Sequence, residues 1–323
     1  MKKIGLVGIY FPSTYDALHE HVPEGFKLVD VLSPEAYDRL ADCEYLISRL
    51  DIDPQIINHT PNVRFWQRWG AGFDHVDLKA WGERGIPIAT CPGINSGIVA
   101  ELAIMLMLAG YRNLLQINRN LREGHWPRTE YFDRSFMIRG KTVGILGLGH
   151  IGKKVAALVS AFGANVLYYD LVRMYEEEER FGYRYADLDT LLRQSDIFTI
   201  HCPLDNTTRG MIGRDEFAKM KRSCMLINTA RGLIVDQAAL VEALSTGQIA
   251  TAGLDTYEQE PLPKDHPLLT LDNVVASAHA GGNTKDNPID MVNYVYSNIV
   301  KFDQGLPLNS DKDIVNTQYL KAE

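Results

Sequence analysis

The sequence is short of paired cysteines, of long apolar runs and of positive charge. Its four cysteines stand singly, at Cys43, Cys91, Cys202 and Cys224. Because they lack the spacing of a zinc or redox motif, they indicate free thiols in a reducing compartment and no metal site. The longest uninterrupted apolar run, Leu102–Ala109, is well below the roughly 20 residues that a membrane span needs. We therefore expect a cytoplasmic protein without a membrane-spanning helix.

The charge pattern argues against nucleic acid and anionic lipid as partners. The formal net charge is −8, with acidic and basic residues interspersed, so there is no basic field to attract nucleic acid or anionic lipid. An anionic ligand must then be bound by local groups. The short acidic run Glu176–Glu179 is interpreted as a solvated face. The first ten residues resemble a secretory signal, but two glycines interrupt them and no small-residue cleavage site follows, which favours a buried first strand.

The length of 323 residues suits two domains, and two series of β/α units are visible. Up to about residue 98, short apolar runs alternate with polar or amphipathic stretches, as in Lys27–Leu32, Tyr45–Ser48, Val63–Trp69 and Pro87–Cys91. This alternation predicts a parallel sheet with helices between the strands. The apolar stretch Ile98–Arg112 that follows is long enough for a buried helix.

The second series begins at Thr142 and predicts a doubly wound sheet. Its six predicted strands are Thr142–Leu146, Asn165–Tyr169, Ile197–His201, Met225–Asn228, Thr251–Leu254 and Val274–Ser277. Beyond them, Asp290–Phe302 carries apolar residues near helical spacing. The polar tail from Asn309 to Glu323 is expected to have little structure of its own.

A glycine-rich segment, Gly147–Gly152, lies between the first strand of this series and a helical pattern. In such a motif the first glycine allows a tight turn, the second lets a pyrophosphate approach the backbone, and the third permits close packing of helix and strand. The helix N-terminus then offers N–H groups and partial positive charge to phosphates. The segment therefore predicts a dinucleotide site.

The next strand ends in Asp170, 21 positions after Gly149. A carboxylate there would accept the ribose hydroxyls and repel a 2′-phosphate, which favours NAD over NADP. The alternative is that Asp170 only caps a loop. Arg173, which follows closely, leaves the use of both cofactors open.

Three later segments end predicted strands in reactive side chains: Arg231 among small residues, the carboxylate Glu260, and His279 before two glycines. Ligands of open α/β sheets bind at the carboxyl ends of the strands, which places all three near a cofactor. A guanidinium binds a carboxylate and polarises a carbonyl, histidine titrates near neutrality, and a carboxylate stabilises the imidazolium. Together they indicate reduction of a 2-oxo acid, with the hydride supplied by the cofactor.

Each of these residues also has a structural interpretation. Arg231 could be a surface ion-pair partner, Glu260 a loop carboxylate and His279 a packed, hydrogen-bonded histidine. His201 also ends a predicted strand and is a rival for the base. His279 is preferred because a carboxylate and a glycine pair accompany it.

These motifs together closely resemble the D-isomer-specific 2-hydroxyacid dehydrogenases, the family that includes D-lactate, hydroxypyruvate and D-3-phosphoglycerate dehydrogenases. The resemblance spans nearly the whole chain and is densest from Gly140 to Thr284. It implies an α/β fold of two doubly wound parallel-sheet domains. We expect a flavodoxin-like substrate domain from residues 1–98 plus 290–323 and a Rossmann NAD-binding domain from 99–289. The family's hinge between the two matches Asn95 with Val99–Glu101, and a homodimer is expected through the segment after that hinge.

The resemblance also implies roles for individual residues. Arg231, Glu260 and His279 would be catalytic. The expected cofactor-binding residues are Gly147, Gly149, His150, Ile151, Gly152, Asp170, His201, Pro203, Thr229, Ala230, Asp255, Gly281 and Gly282. The expected substrate-binding residues are Ala71, Gly72, Asn95 and Arg49, of which Arg49 could equally lie on the surface.

The sequence departs from the family's pattern at two positions beside the predicted site. Ala278 stands where the family commonly has proline, and Asn283 stands where it has a small or hydroxyl residue. These bear on substrate fit. The alternative function is an NADH-sensing, corepressor-type binding protein with little turnover, which shares the fold. Formate dehydrogenases, within the family, typically pair the histidine with glutamine, so Glu260 argues against that activity.

Overall fold

The computed structural model describes residues 1–49, 52–286 and 288–320. The chain forms two compact units, one made of Met1–Asn95 with Thr284–Glu323 and the other of Ser96–Asn283. The strands are β1 (Lys2–Val7), β2 (Phe26–Val31), β3 (Tyr45–Ser48), β4 (Phe65–Arg68), β5 (Ile88–Ala89), β6 (Thr142–Leu146), β7 (Asn165–Tyr169), β8 (Arg184–Tyr185), β9 (Ile197–Ile200), β10 (Met225–Asn228), β11 (Thr251–Leu254) and β12 (Val274–Ala276). The helices are α1 (Pro12–Glu20), α2 (Leu78–Glu83), α3 (Ser96–Tyr111), α4 (Leu114–Arg122), α5 (His150–Ala161), α6 (Tyr175–Phe181), α7 (Leu188–Gln194), α8 (Arg214–Lys219), α9 (Gln237–Ser245) and α10 (Pro288–Asp303).

The first unit, Met1–Asn95 with Thr284–Glu323, contains a parallel five-stranded sheet in the order β2-β1-β3-β4-β5. This is the doubly wound order of flavodoxin-like folds, so the predicted fold class is confirmed for this unit. Helix α10 packs its apolar side, including Val292, Val295 and Ile299, into the core formed with β1 and β4. The helix predicted over Asp290–Phe302 is therefore confirmed.

The second unit, Ser96–Asn283, contains a parallel seven-stranded sheet in the order β12-β11-β10-β9-β6-β7-β8. From β8 to β11 this is the Rossmann strand order, extended by β12, and the order reverses between β6 and β9. All six predicted strands are present. The seventh, β8, has two residues and gives no periodicity that sequence reasoning could detect.

Helix α3 is apolar on nearly every side. It packs one side against β10 and β11, whereas Met105 and Leu108 are exposed. Small residues make this contact close. A Cβ added to Gly253 would lie 2.9 Å from the Cβ of Leu106, and one added to Gly110 would lie 2.4 Å from the Cε of Met225. The helix predicted over Ile98–Arg112 is confirmed, and it is buried on the side that lies against the strands that end in the predicted catalytic segments.

The polar tail is ordered through residue 320, so the expectation that it has little structure was wrong for the described part. Ile314 forms an antiparallel bridge with Ala89 of β5. The buried side chain of Asn316 accepts a hydrogen bond from the Ile88 N–H and donates one to the Ile86 carbonyl, each at 2.9 Å. Polar side chains here satisfy buried backbone groups, a role that composition does not distinguish from solvation. Residues 321–323 of the predicted tail lie outside the described residues.

The solvated-face interpretation of Glu176–Glu179 was also wrong for two of its members. Glu177 pairs with Lys153 of α5, and Glu178 pairs with Arg173 in the loop after β7. The side chains of these two glutamates are 17% and 16% exposed, so each is largely covered by its partners.

None of the helices in the described ranges is by itself long and apolar enough to cross a membrane. Helices α3 and α4 pass that test only as a pair, and they are bent by 62° where they meet.

Candidate active site

The glycine loop joins β6 to α5, and two of its glycines are required by close contacts. Gly147 has a left-handed φ of +93°, and a Cβ there would lie 2.7 Å from the Cys202 nitrogen. A Cβ on Gly152 would lie 2.1 Å from the Gly147 carbonyl oxygen. At Gly149, by contrast, no heavy atom of the described residues other than Gly149 itself and its chain neighbours lies within 4 Å of an added Cβ. The loop is thus tightly packed at Gly147 and Gly152 and open at Gly149, as a pyrophosphate bound close to the backbone requires.

Helix α5 begins directly after that open glycine, with His150 and Ile151 in its first turn. The amides of a first helical turn have no acceptor within the helix, and the helix dipole places partial positive charge there. This end of α5 can therefore bind a phosphate without a charged side chain.

Asp170 follows β7 and is held by the neighbouring backbone. Its Oδ2 accepts the Leu148 N–H at 2.7 Å and its Oδ1 accepts the Val172 N–H at 3.3 Å. An ionised carboxylate has about four acceptor positions, so capping these two amides leaves capacity for ribose hydroxyls. The loop-capping interpretation and the ribose-binding interpretation are thus compatible.

Three polar atoms at the carboxyl ends of β9, β10 and β11 are buried without a hydrogen-bond partner in the described structure. They are Nδ1 of His201, Oγ1 of Thr229 and Oγ1 of Thr256. Such atoms are costly unless a ligand or water satisfies them. In the sheet, β9 lies next to β6, which carries the glycine loop, and β10 and β11 follow it. The position of the three atoms fits a nicotinamide dinucleotide, and Pro203 and Ala230 lie just after β9 and β10.

His201 is poorly suited to be the acid or base. Desolvation lowers its pKa to about 3, so the ring is neutral near pH 7. Its Nε2 lies 2.8 Å from the Thr199 hydroxyl. These properties of His201 favour His279 as the acid/base residue.

The segment carrying Arg231 is a tight turn at the end of β10. The Asn228 side chain accepts the Ala230 N–H at 3.0 Å and donates to the Arg231 carbonyl at 2.9 Å. The next residue must be glycine, because a Cβ on Gly232 would lie 1.9 Å from the Tyr257 carbonyl carbon. The half-buried Arg231 side chain donates from Nη1 to the Ala230 carbonyl at 2.7 Å.

His279 and Glu260 form the central pair of the site. The Nδ1 of His279 lies 2.6 Å from Oε2 of Glu260, whose Oε1 accepts the Tyr257 N–H at 2.9 Å. The hydrogen bond with Glu260 raises the pKa of His279, against desolvation and the nearby positive charge of Arg231. Burial opposes ionisation of Glu260, but the bonds from His279 and Tyr257 and the charge of Arg231 lower its pKa overall. The pair therefore favours imidazolium beside carboxylate.

Asp255 builds the turn that presents His279. The residue is 1% exposed, and its carboxylate accepts the Ser277 hydroxyl at 2.6 Å and the Ala280 and Gly281 N–H groups at 2.8 and 2.9 Å. These bonds fix both sides of a turn in which His279 has a left-handed φ of +49°. A non-glycine residue in that region carries conformational strain, a feature that clusters at functional sites.

The predicted site residues thus fall into two sets. Arg231, Glu260, His279 and the predicted cofactor residues from Gly147 to Gly282 all belong to the unit Ser96–Asn283. Arg49, Ala71, Gly72 and Asn95 belong to the other unit. In that unit, Ala71 and Gly72 follow β4 in a loop that begins with Gly70 at a φ of +115°. Arg49 follows β3, with its guanidinium 4.9 Å from the Phe11 ring centroid.

Sequence reasoning missed the residues that hold the reactive groups. Asn228 and Ser277 fix the two turns, and Tyr257 donates its backbone N–H to Glu260 and its hydroxyl to the Ser277 carbonyl, at 2.8 Å. Their only sequence signal was position, because each lies within three residues of a predicted site residue. In the described residues, no group of three or more His, Cys, Asp or Glu side chains could hold a metal ion.

Comparison with known proteins identifies the family of this chain. Residues 104–281 match the family profile described as D-isomer specific 2-hydroxyacid dehydrogenase, NAD binding domain. The glyoxylate reductase of Korarchaeum cryptofilum is 37% identical over 290 residues, which are 88% of this chain and 86% of that protein.

Two solved structures are similar over nearly their whole length. The NADPH-dependent glyoxylate/hydroxypyruvate reductase of Sinorhizobium meliloti, in complex with NADP and malonate, has a TM-score of 0.82 at 26% identity, covering 100% of this chain and 99% of that one. The NAD-dependent formate dehydrogenase of Staphylococcus aureus, in complex with NAD, has a TM-score of 0.83 at 28% identity, covering 98% and 99%. The profile and the second structure confirm the predicted cofactor, NAD. The chain therefore belongs to the D-isomer specific 2-hydroxyacid dehydrogenase family, and it is an NAD-dependent oxidoreductase.

Proposed function

We propose that this enzyme interconverts a small 2-oxo acid and the corresponding D-2-hydroxy acid, with glyoxylate and hydroxypyruvate as the substrate class. The observation that carries the proposal is the His279–Glu260 pair at 2.6 Å, within the electrostatic influence of Arg231. This arrangement supplies a proton donor with a raised pKa beside a cation that can bind a carboxylate. The names of the similar reductases support the same substrate class.

The chain's own residues account for binding and proton transfer. When bound, the nicotinamide supplies the hydride. Arg231 binds the substrate carboxylate and polarises the 2-oxo group. Because Nδ1 of His279 is bonded to Glu260, Nε2 is the ring atom that gives a proton to the substrate oxygen during reduction and takes it back during oxidation. Glu260 stabilises the imidazolium and orients the ring.

For the cofactor, we propose the residues predicted above in their expected roles. Gly149, His150 and Ile151 would hold the pyrophosphate and Asp170 the adenosine ribose. The unsatisfied His201 and Thr229 atoms support placing the nicotinamide end at the carboxyl ends of β9 and β10.

For the substrate domain, we propose the unit containing β1–β5. There the backbone N–H groups of Ala71 and Gly72 would bind the substrate carboxylate, and Arg49 would bear on substrate choice. Asn95, the last residue of that segment before α3, would belong to the hinge. Alanine substitution of Arg49 tests its role, because a surface arginine would leave the ranking of 2-oxo acids unchanged.

We also propose a cytoplasmic homodimer. The segment after α3 exposes large apolar side chains, with Trp126 79%, Phe132 80% and Met137 69% exposed. Apolar surface of this kind is typical of an interface. Light scattering of the wild type and of a Trp126→Asp variant tests the dimer, which the variant should weaken. The four buried or half-buried thiols support a reducing compartment, which cell fractionation tests.

The deciding experiment measures NADH oxidation with glyoxylate, hydroxypyruvate, pyruvate and bulkier 2-oxo acids. We expect turnover with the small members, and loss of turnover with retained NADH binding in His279→Gln. Absence of turnover with every acid would refute the proposal. Tight NADH binding under that condition, with a protein partner in pull-down, would favour the corepressor-type alternative.

A further inference from the structure

The loop after β7 carries an arginine where it could change the choice of cofactor. In Rossmann folds, an acidic residue at the end of this strand binds the ribose 2′-hydroxyl, whereas a nearby arginine accommodates a 2′-phosphate. This chain has both, since Arg173 follows Asp170 by three residues. What decides between NAD and NADP is therefore whether the guanidinium is available to a phosphate.

The structure holds that guanidinium in a bidentate ion pair. Nε and Nη2 of Arg173 donate to the two carboxylate oxygens of Glu178 on α6, at 2.8 and 2.7 Å. Two aromatic rings complete the environment, with the guanidinium carbon 4.8 Å from the Tyr175 centroid and 5.5 Å from the Tyr185 centroid. One bidentate edge of the guanidinium, formed by Nε and Nη2, is therefore already used by a carboxylate, which also neutralises its charge.

Glu178 is itself fixed on the side facing the sheet. Its Oε1 also accepts the hydroxyl of Tyr168 in β7 at 2.8 Å, and that hydroxyl accepts the Met174 N–H at 2.8 Å. The bonds from Arg173 and Tyr168 lower the pKa of Glu178 to about 2. The carboxylate is thus ionised at neutral pH and competes with a phosphate for Arg173.

We infer that Glu178 is a positioning residue that makes this enzyme selective for NAD, by holding Arg173 away from a 2′-phosphate. Asp170 and Glu178 then act together. Asp170 binds the ribose and repels the phosphate, and Glu178 withholds the cation that would offset this repulsion. The inference rests on the proposed function only in placing the adenosine ribose at Asp170.

Equilibrium binding of NAD⁺ and NADP⁺, measured by calorimetry, tests the inference without turnover. Glu178→Gln keeps the size of the side chain and removes the ion pair. We expect this variant to bind NADP⁺ about tenfold more tightly than the wild type, the gain from one charge-assisted contact, and to bind NAD⁺ within about twofold. Glu177→Gln is the matched control, because it removes the same charge from the same helix but releases Lys153 instead.

The double variant Arg173→Gln/Glu178→Gln identifies the cation responsible, and it should lose the gain in NADP⁺ affinity. An equal gain in Glu177→Gln, or a gain that survives in the double variant, would mean that general charge reduction is responsible and would overturn the inference.

The single variant Arg173→Gln tests the inference even if the Glu178 variants fail to fold. We expect it to bind NADP⁺ as the wild type does, because the guanidinium is already withheld. A several-fold loss would show that Arg173 reaches the phosphate despite Glu178. Failure of the proposed reaction would appear as absent turnover in all variants, and these binding results would stay interpretable.

Discussion

Replacing Glu260 with glutamine should weaken the acid/base function of His279 without removing the ring. The substitution removes the negative charge that lies 2.6 Å from Nδ1. A hydrogen bond to a charged group contributes about 1.5–3 kcal/mol. The side chains of His279 and Glu260 are 37% and 35% exposed, so solvent screening places the loss near the lower end of that range. A loss of about 1.5 kcal/mol corresponds to roughly a tenfold fall in kcat/KM.

The sign of the pH dependence follows from the direction of the shift. Glu260 raises the pKa of His279, and reduction needs the imidazolium as proton donor. The rate of reduction should therefore fall as the pH rises through this pKa, and in Glu260→Gln the fall should begin at a lower pH. The assay is the pH profile of kcat/KM for reduction of glyoxylate with NADH.

A matched control is available in the same turn. Glu258→Gln removes an equal charge from a carboxylate that accepts the Gln237 N–H at 2.9 Å. We expect its pH profile to follow that of the wild type. If the profiles of Glu260→Gln and the wild type coincide, the pair does not set the protonation of His279 and the reasoning is refuted.

Three further substitutions have definite expected outcomes. Arg231→Lys keeps the positive charge but loses the bidentate donors of the guanidinium. The value of kcat/KM for glyoxylate should therefore fall by about a hundredfold, while NADH affinity is retained. Unchanged kinetics would exclude a contact between Arg231 and the substrate carboxylate. Gly152→Ala should destabilise the fold by about 1–3 kcal/mol, measured by denaturant unfolding, whereas Gly149→Ala should unfold like the wild type and lose cofactor affinity. Equal stability losses in both variants would contradict the loop geometry. Asn316→Ala should lower the free energy of unfolding by about 2 kcal/mol, because two buried backbone groups lose their partner, and an unchanged denaturation midpoint would count against this role of the tail.

The sequence predicted the parallel sheets and most strand boundaries well, because buried parallel strands are short apolar runs between turn residues. It also predicted which strand ends carry Arg231, Glu260 and His279. It did not predict the supporting contacts. The carboxylate of Asp255 is surrounded by donors from residues 277–281 because the chain turns back on itself there. Such hydrogen bonds depend on tertiary geometry, and no local periodicity encodes them.

The acidic run on α6 is a second case in which local sequence did not predict a tertiary contact. Four consecutive glutamates are typical of a solvated helix, and the distance from Arg173 to Glu178 along the chain carries no strong pairing signal. The ion pair forms because the loop after β7 folds back onto the helix that follows it. Charge patterning therefore predicted the exposure of Glu177 and Glu178 incorrectly and gave no sign of the paired arginine.

The bridge between Ala89 and Ile314 has a consequence for solubility. β5 is the last strand of its sheet, and an outer strand with unpaired amides and carbonyls is a template for intermolecular strand addition. The tail occupies that side of β5, with the Thr90 and Val315 N–H groups bonded to the Asp313 and Ile88 carbonyls, each at 2.9 Å. Proteolytic removal of the chain beyond Asn309 would uncover the outer side of β5. The clipped protein should then aggregate at temperatures at which the intact protein stays dispersed.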